Sequence, residues 1–211
     1  MPRYRLVIFD FDGTLADSAA WFFAVINDVA RRYRFRETTP EEREALRSMS
    51  TREILRTLEI SAWKLPFVAR HMRRRVSRHI EEIPVFPWVD ALFERLASEG
   101  VVIAIVSSNT EPNIVKVLGP ATATRVRAFG GGASLFGKAK KFERMVKRLG
   151  FTPQDAVSVG DEVRDIQAAR QVGMGTIAVS WGLASEGALR AARPDAVVSS
   201  VEELAALLLP G

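Results

Sequence analysis

The stretch "FDFDGTLADS", residues 9–18, closes an apolar run with two carboxylates, Asp10 and Asp12, and then breaks at Gly13 and Thr14. The run leading into it, "RLVIFDF" (5–11), is apolar at consecutive positions. Such a run suits a central strand of a parallel sheet, buried on both faces. Two acidic side chains that close together repel each other unless something positive lies between them. The stretch therefore predicts a buried strand that ends at a ligand site, with a cation at that end.

Further runs of the same kind follow at "VVIAIVSS" (101–108), "DAVSVGD" (155–161), "GTIAVSW" (175–181) and "DAVVSS" (195–200). Between them lie "PWVDALFERLASEG" (87–100), "KFERMVKRLG" (141–150), "VRDIQAARQVG" (163–173) and "VEELAALLL" (201–209). Their apolar residues recur at three- and four-residue spacing, and three of them stop at Gly. The alternation predicts an α/β fold, a doubly wound, mainly parallel Rossmann-like sheet. Residues 18–84 break this rhythm and contain no strand pattern. They read as helices over roughly 19–34, 40–47, 50–59 and 63–80, punctuated by "TTP" and "KLP". A crossover needs far less chain. The expected division is a core of residues 1–17 and 85–211 with an inserted all-α cap over 18–84. Its joints would lie near 16–18 and at "IPVFP" (83–87).

Composition narrows the function. The chain has no cysteine, which excludes disulfides, thiolate metal sites and a cysteine nucleophile. Its net charge of +5 is spread along the chain except at "RHMRRRVSRH" (70–79), which reads as a solvated helix face, so no nucleic-acid partner is expected. His71 and His79 in that segment have no third ligand in view and read as solvated residues. The N-terminal apolar run is too short for a signal peptide or a membrane span. A cytoplasmic protein without membrane contact, monomer or homodimer, is the expectation.

Ligands of open α/β sheets gather at the carboxyl ends of the strands. Asp10 and Asp12 stand at one end, Ser107, Ser108 and Asn109 at the next, and Asp161 with Glu162 and Asp165 at a third. Lys138 falls on a loop between. Oxygen-only ligands of this sort favour a hard divalent ion, Mg2+ above all. For Asp17, Ser18 and Asp165 a helix-capping role is an equal reading. "GGGA" (130–133) reads as a flexible turn, since no GK[ST] follows it at phosphate-loop distance.

"DFDGTLADS", "IVSSN", "GK" at 137–138 and "GDEVRD" resemble, in order, the four motifs of haloacid dehalogenase-like phosphohydrolases. The tail "VSWGLASEGALRAARPDAVVSSVEELAALL" resembles the phosphoglycolate phosphatase-like branch. The resemblance implies a phosphatase acting on a small phosphorylated metabolite with Mg2+ as cofactor. It implies Asp10 as nucleophile, Asp12 as general acid and base, and Ser107 and Lys138 as the groups that bind and neutralise the phosphoryl. Asp10, Asp161 and the carbonyl of Asp12 would ligate the metal, with Asp165 and Glu162 behind them. The amides of Gly13, Thr14 and Ser108, and Asn109, would face the phosphate. Asp12 also separates this chain from the dehalogenase branch, which lacks the second aspartate.

In "SMSTREILRTL" (48–58), Arg52 matches the arginine that grips a distal anionic group in phosphoglucomutase-like relatives. Arg43, Arg47 and the 70–78 cluster are weaker candidates. Two departures stand out: Trp88 where many relatives have Gly, and Ala-Lys-Lys after Lys138 in place of a Pro-containing stretch. The second weakens the case for phosphoglycolate itself. Two other outcomes suit the same motifs: a sugar phosphomutase, and a non-catalytic phospholigand-binding protein.

Overall fold

The computed structural model describes residues 3–49, 51–132 and 137–209. Its centre is one six-stranded parallel sheet made of β1 (Leu6–Phe9), β2 (Val102–Val106), β3 (Val126–Gly130), β4 (Ala156–Gly160), β5 (Gly175–Val179) and β6 (Ala196–Val198). The order across the sheet is β3-β2-β1-β4-β5-β6. Strand β1 is therefore central. It pairs Leu6 with Val102 on one side and with Ala156 on the other. All four of its side chains are buried, as its unbroken apolar pattern requires.

Alternation along β1 builds two cores. Val7 and Phe9 face α5 (Val89–Ser98), α6 (Glu111–Ala123) and α10 (Val201–Leu208), packing with Leu92, Phe93, Ile114 and Leu204. Leu6 and Ile8 face α7 (Lys138–Arg148) and α8 (Val163–Val172), packing with Phe142, Met145 and Ala169. Helices on both faces of a parallel sheet make the expected doubly wound α/β architecture.

Three elements carry no clear pattern in the sequence. β3 is an edge strand whose Arg127 is exposed, so "VRAFG" lacks a continuous apolar run. α6 is broken where Gly119 takes φ 75° ahead of Pro120, which blurs its helical period. α9 (Glu186–Ala191) has only six residues. Lys138, expected on a loop, is instead the first residue of α7.

Between β1 and β2 run α1 (Ala19–Tyr33), α2 (Pro40–Leu46), α3 (Thr51–Thr57) and α4 (Leu65–Arg78). Thr39 caps α2 because Pro40 suits the first turn and Glu42 reaches back: the Thr39 amide donates to Glu42 Oε2 at 2.9 Å. These helices share a separate apolar cluster of Ile26, Val29, Phe35, Leu46 and Leu58. The chain leaves and re-enters the sheet layer side by side. Ala16 bridges Val85 in antiparallel fashion, and the Asp17 amide donates to the Pro84 carbonyl at 2.9 Å. Of the expected 50–59 helix and the "GGGA" turn, Ser50 and Ala133 lie outside the described residues.

Candidate active site

The strand order sets the geometry of the site. β1 lies between β2 and β4, so the residues that follow these three strands share one edge of the sheet. The order also reverses between β1 and β4, the crevice where open α/β sheets take ligands. Asp10, Ser107 and Asp161 stand there, all buried.

Lys138 is the hub. From the buried start of α7 its Nζ lies 2.7 Å from Asp10 Oδ2 and 2.5 Å from Asp165 Oδ1. Burial alone would pull its pKa down, but the carboxylates of Asp10 and Asp165 outweigh that and raise it, so it is a fixed cation. The other oxygens of both carboxylates are also held. Asp10 Oδ1 accepts the Phe11 amide at 2.7 Å, and Asp165 Oδ2 accepts the Glu162 amide at 3.1 Å. Asp165 thus pins the first turn of α8 and Lys138 together. Ser18 precedes α1 without a capping hydrogen bond from its side chain, and Asp17 is exposed.

Asp161 completes the cluster. Its Oδ1 accepts the Thr14 hydroxyl and its Oδ2 the Leu183 amide, both at 2.8 Å. Gly13 is required beside it: φ is 78°, and a Cβ there would come within 2.2 Å of Asp161 Oδ2. The amides of Gly13 and Thr14, expected to face a phosphate, are spent instead within the turn. Gly13 donates to the Ala16 carbonyl and Thr14 to that of Phe11, because a chain reversing that tightly must satisfy its own buried amides. It is the Thr14 side chain that serves the site.

Asp12 stands opposite Ser107 and Asn109. Its Oδ2 is 3.4 Å from Ser107 Oγ and its Oδ1 is 3.5 Å from Asn109 Nδ2, both long contacts. Ser107 Oγ accepts the Asn109 amide at 3.0 Å, while Asn109 Oδ1 accepts from Thr110 and from Asn113. Asn113, in the first turn of α6 and four residues after Asn109, is not among the residues the motifs point to. Ser108 is partly exposed at the same turn.

The charges do not balance. Asp10, Asp12, Asp161, Glu162 and Asp165 set five carboxyl groups against two cations, Lys138 and Arg164. Arg164 pairs with Glu162, and its buried Nε has no partner. Burial and then the charges of Glu162, Asp10 and Asp165 push Asp161 well above the ordinary carboxylate range. Burial lifts Asp165 to about 6 despite Lys138, and burial followed by the charge of Asp10 lifts Asp12 to about 7. Oxygens of Asp10, Asp161 and Asp165 all lie within 4.8 Å of one another. A buried all-oxygen set with surplus negative charge fits a hard cation, so these residues could hold a metal ion.

The cap candidates are arranged differently. Arg52, on α3, is exposed, and its side chain makes no hydrogen bond or ion pair among the described residues. Arg43 Nε donates to Thr38 Oγ1 at 3.1 Å. His71 packs edge-on against Tyr33, and His79, just past the end of α4, pairs with Glu82 at 2.8 Å.

The sequence model of the haloacid dehalogenase-like hydrolases matches residues 7–179. A phosphoglycolate phosphatase from Synechococcus elongatus is 32% identical over 201 residues, 95% of each chain. A phosphoglycolate phosphatase from Aquifex aeolicus is 24% identical, covering 97% of this chain and 96% of its own. Among solved structures, a haloacid dehalogenase-like family hydrolase from Streptococcus pneumoniae superposes with a TM-score of 0.77 at 19% identity, over 96% of this chain and 97% of its own. The chain belongs to the haloacid dehalogenase-like hydrolase family and is an enzyme of its phosphatase kind. Among the described residues no helix is long and apolar enough to cross a membrane.

Proposed function

We propose that this enzyme hydrolyses a small phosphate monoester through an aspartyl-phosphate on Asp10, with Mg2+ as cofactor. The observation that carries the reading is the buried contact of Lys138 with both Asp10 and Asp165, with Asp161 alongside. An Asp10 carboxylate held in place by Lys138 and the Phe11 amide is a positioned nucleophile.

In the first step an Asp10 oxygen attacks phosphorus and the P–O bond to the leaving alcohol breaks. The leaving oxygen takes a proton from the Asp12 carboxyl. A pKa of about 7 keeps a useful share of Asp12 protonated near neutrality, as a general acid needs. In the second step water attacks phosphorus, gives its proton to the Asp12 carboxylate and frees Asp10 with inorganic phosphate. Lys138 and the Ser107 hydroxyl oppose the charge on the equatorial oxygens. Asp10, Asp161 and the Asp12 carbonyl would hold Mg2+, with Asp165 and Glu162 behind them. Bound there, the metal would supply charge neutralisation at the transferring phosphoryl.

We further propose that residues 18–84 form a cap over the sheet edge and that Arg52 reads a second anionic group of the substrate. A planar guanidinium with no partner among the described residues suits a carboxylate. The names of the curated relatives support phosphoglycolate, a small ester of that kind, as the first substrate to try.

The test is phosphate release from phosphoglycolate, sugar phosphates and nucleoside monophosphates, with Mg2+ and with chelator, on wild type and Asp10→Asn. Metal-dependent release that drops at least ~10³-fold in Asp10→Asn is expected, as for loss of a nucleophile. Turnover that survives the substitution would falsify the mechanism. Release of no phosphate, with bisphosphate-activated isomerisation of a sugar phosphate instead, would indicate a mutase.

A further inference from the structure

Arg47, at the end of α2, is tied to the sheet domain far more firmly than to its own helix. Its Nε donates to the Leu183 carbonyl at 3.1 Å and its Nη2 to the Gly182 carbonyl at 3.2 Å. The Ser185 amide donates back to the Arg47 carbonyl at 2.8 Å, and the hydroxyls of Ser48 and Ser185 lie 3.0 Å apart. Both acceptors of the guanidinium are backbone carbonyls, so the fork of Arg47 sets the position of the loop that follows β5. Among the described residues the one local partner of its side chain, Glu44 at 3.1 Å, is mostly exposed.

That loop holds Asp161. Leu183, whose carbonyl Arg47 grips, directs its amide to Asp161 Oδ2 at 2.8 Å, and the Ala184 amide donates to the Asp161 carbonyl at 3.3 Å. Gly182 packs so closely that a Cβ there would fall within 2.3 Å of Asp161 Cβ and Oδ2. The loop can therefore shift only if Asp161 shifts with it.

We infer that Arg47 is a positioning residue, a clasp through which the inserted helices set the orientation of the Asp161 carboxylate. The inference rests on the proposed role of Asp161 as a metal ligand. It also assigns Arg47 away from substrate recognition, because its guanidinium is turned to carbonyl oxygens. The helical insert then does more than cover the site: docking of α2 completes the bed of a metal ligand. Partners that orient metal ligands alter metal affinity without touching the ion.

The experiment compares wild type, Arg47→Ala, Arg47→Lys and Glu44→Ala. Amide hydrogen exchange is read without metal, and the Mg2+ dependence of turnover is read with an aryl phosphate. Arg47→Ala speeds exchange at Leu183 and Ser185 and raises the Mg2+ concentration for half-activation about tenfold, the low end for such partners. Its kcat at saturating Mg2+ stays closer to wild type. Arg47→Lys, which keeps one donor, falls between them, and this variant also decides the matter if Arg47→Ala does not fold. Glu44→Ala, which removes the exposed ion pair and leaves the clasp, matches wild type.

Faster exchange with an unchanged Mg2+ requirement overturns the inference, and so does wild-type exchange in Arg47→Ala. A wild-type enzyme with no Mg2+-dependent turnover overturns the proposed function beneath it. The two failures are thus told apart by which protein shows them.

Discussion

The sheet edge and the inserted helices place their charged residues in opposite ways. At the edge, Asp10, Lys138, Asp161 and Asp165 are buried and each is held by two or more partners. On the helices Arg52 is exposed, and pairs such as Arg31 with Asp28 and Glu37 lie at the surface. Buried groups cannot reorient cheaply, so they suit a reaction whose geometry must not change. Exposed arginines contribute little to stability and can be exchanged as substrates differ. The difference is what the proposed division requires, constant chemistry at the edge and selection on the helices.

The strongest way to break that comparison is Lys138→Met. Removing one partner of a buried ion cluster costs about 3–5 kcal/mol. Urea unfolding of the metal-free protein at pH 7 is expected to show a loss of that size. Survival with wild-type stability would mean that the edge is not held together by charge. Asp12→Asn comes next. It should keep the fold and lower kcat by about 10²–10⁴, the contribution of general acid–base catalysis. Steady-state kinetics on an ester with a poor leaving group is the measurement, because such a group needs the proton most.

A third prediction follows from the raised pKa values. Folded Asp165, at about 6, binds protons more tightly than an ordinary carboxyl near 3.8, and Asp161 shifts the same way. Between those values the folded state carries more protons than the unfolded chain, so stability falls as pH rises through the window. By pH 7.5 Asp165 is ionised in the metal-free protein, and a bound cation relieves the repulsion that its charge adds. Thermal melts with saturating Mg2+ should therefore show a larger rise in Tm at pH 7.5 than at pH 5. About 2.7 kcal/mol is expected at a hundred times Kd at the higher pH. An equal rise at both values would count against a metal seated on these carboxylates.

The smallest effect sharpens the other half of the comparison. Arg52→Ala should leave stability within ~0.5 kcal/mol, as for other exposed positions. It should raise KM for phosphoglycolate roughly three- to tenfold, the worth of a hydrogen bond to a charged group at partial exposure. An aryl phosphate without a second anionic group should be unaffected. A matching change for both esters would place selection elsewhere.

Much of the site is legible in the order of the residues. Asp10, Asp161 and Ser107 each follow an apolar run, and strand ends in a parallel sheet share an edge whatever else the chain does. The helical insert is legible because residues 18–84 contain no strand period. Other features are not. β3 carries an exposed arginine at a sheet edge, and α6 is interrupted at Gly119, so neither bears the pattern expected of its type. The use of the Gly13 and Thr14 amides within their own turn, and of the Thr14 hydroxyl on Asp161, depends on which buried donors find partners. No residue type announces that.

What the sequence by itself determined is the set of candidate groups and the edge on which they meet. Both follow from local patterns: apolar periodicity, a carboxylate at a strand end, a glycine where the chain must turn. Tertiary structure alone decided what holds those groups. The Leu183 amide on Asp161 lies 22 residues away in the chain, and the fork of Arg47 on Leu183 spans 136. Backbone amides and carbonyls are present at nearly every position, so the choice among them carries no sequence signature. It is made only when packing brings two distant segments within hydrogen-bond reach and leaves a buried polar group no other partner.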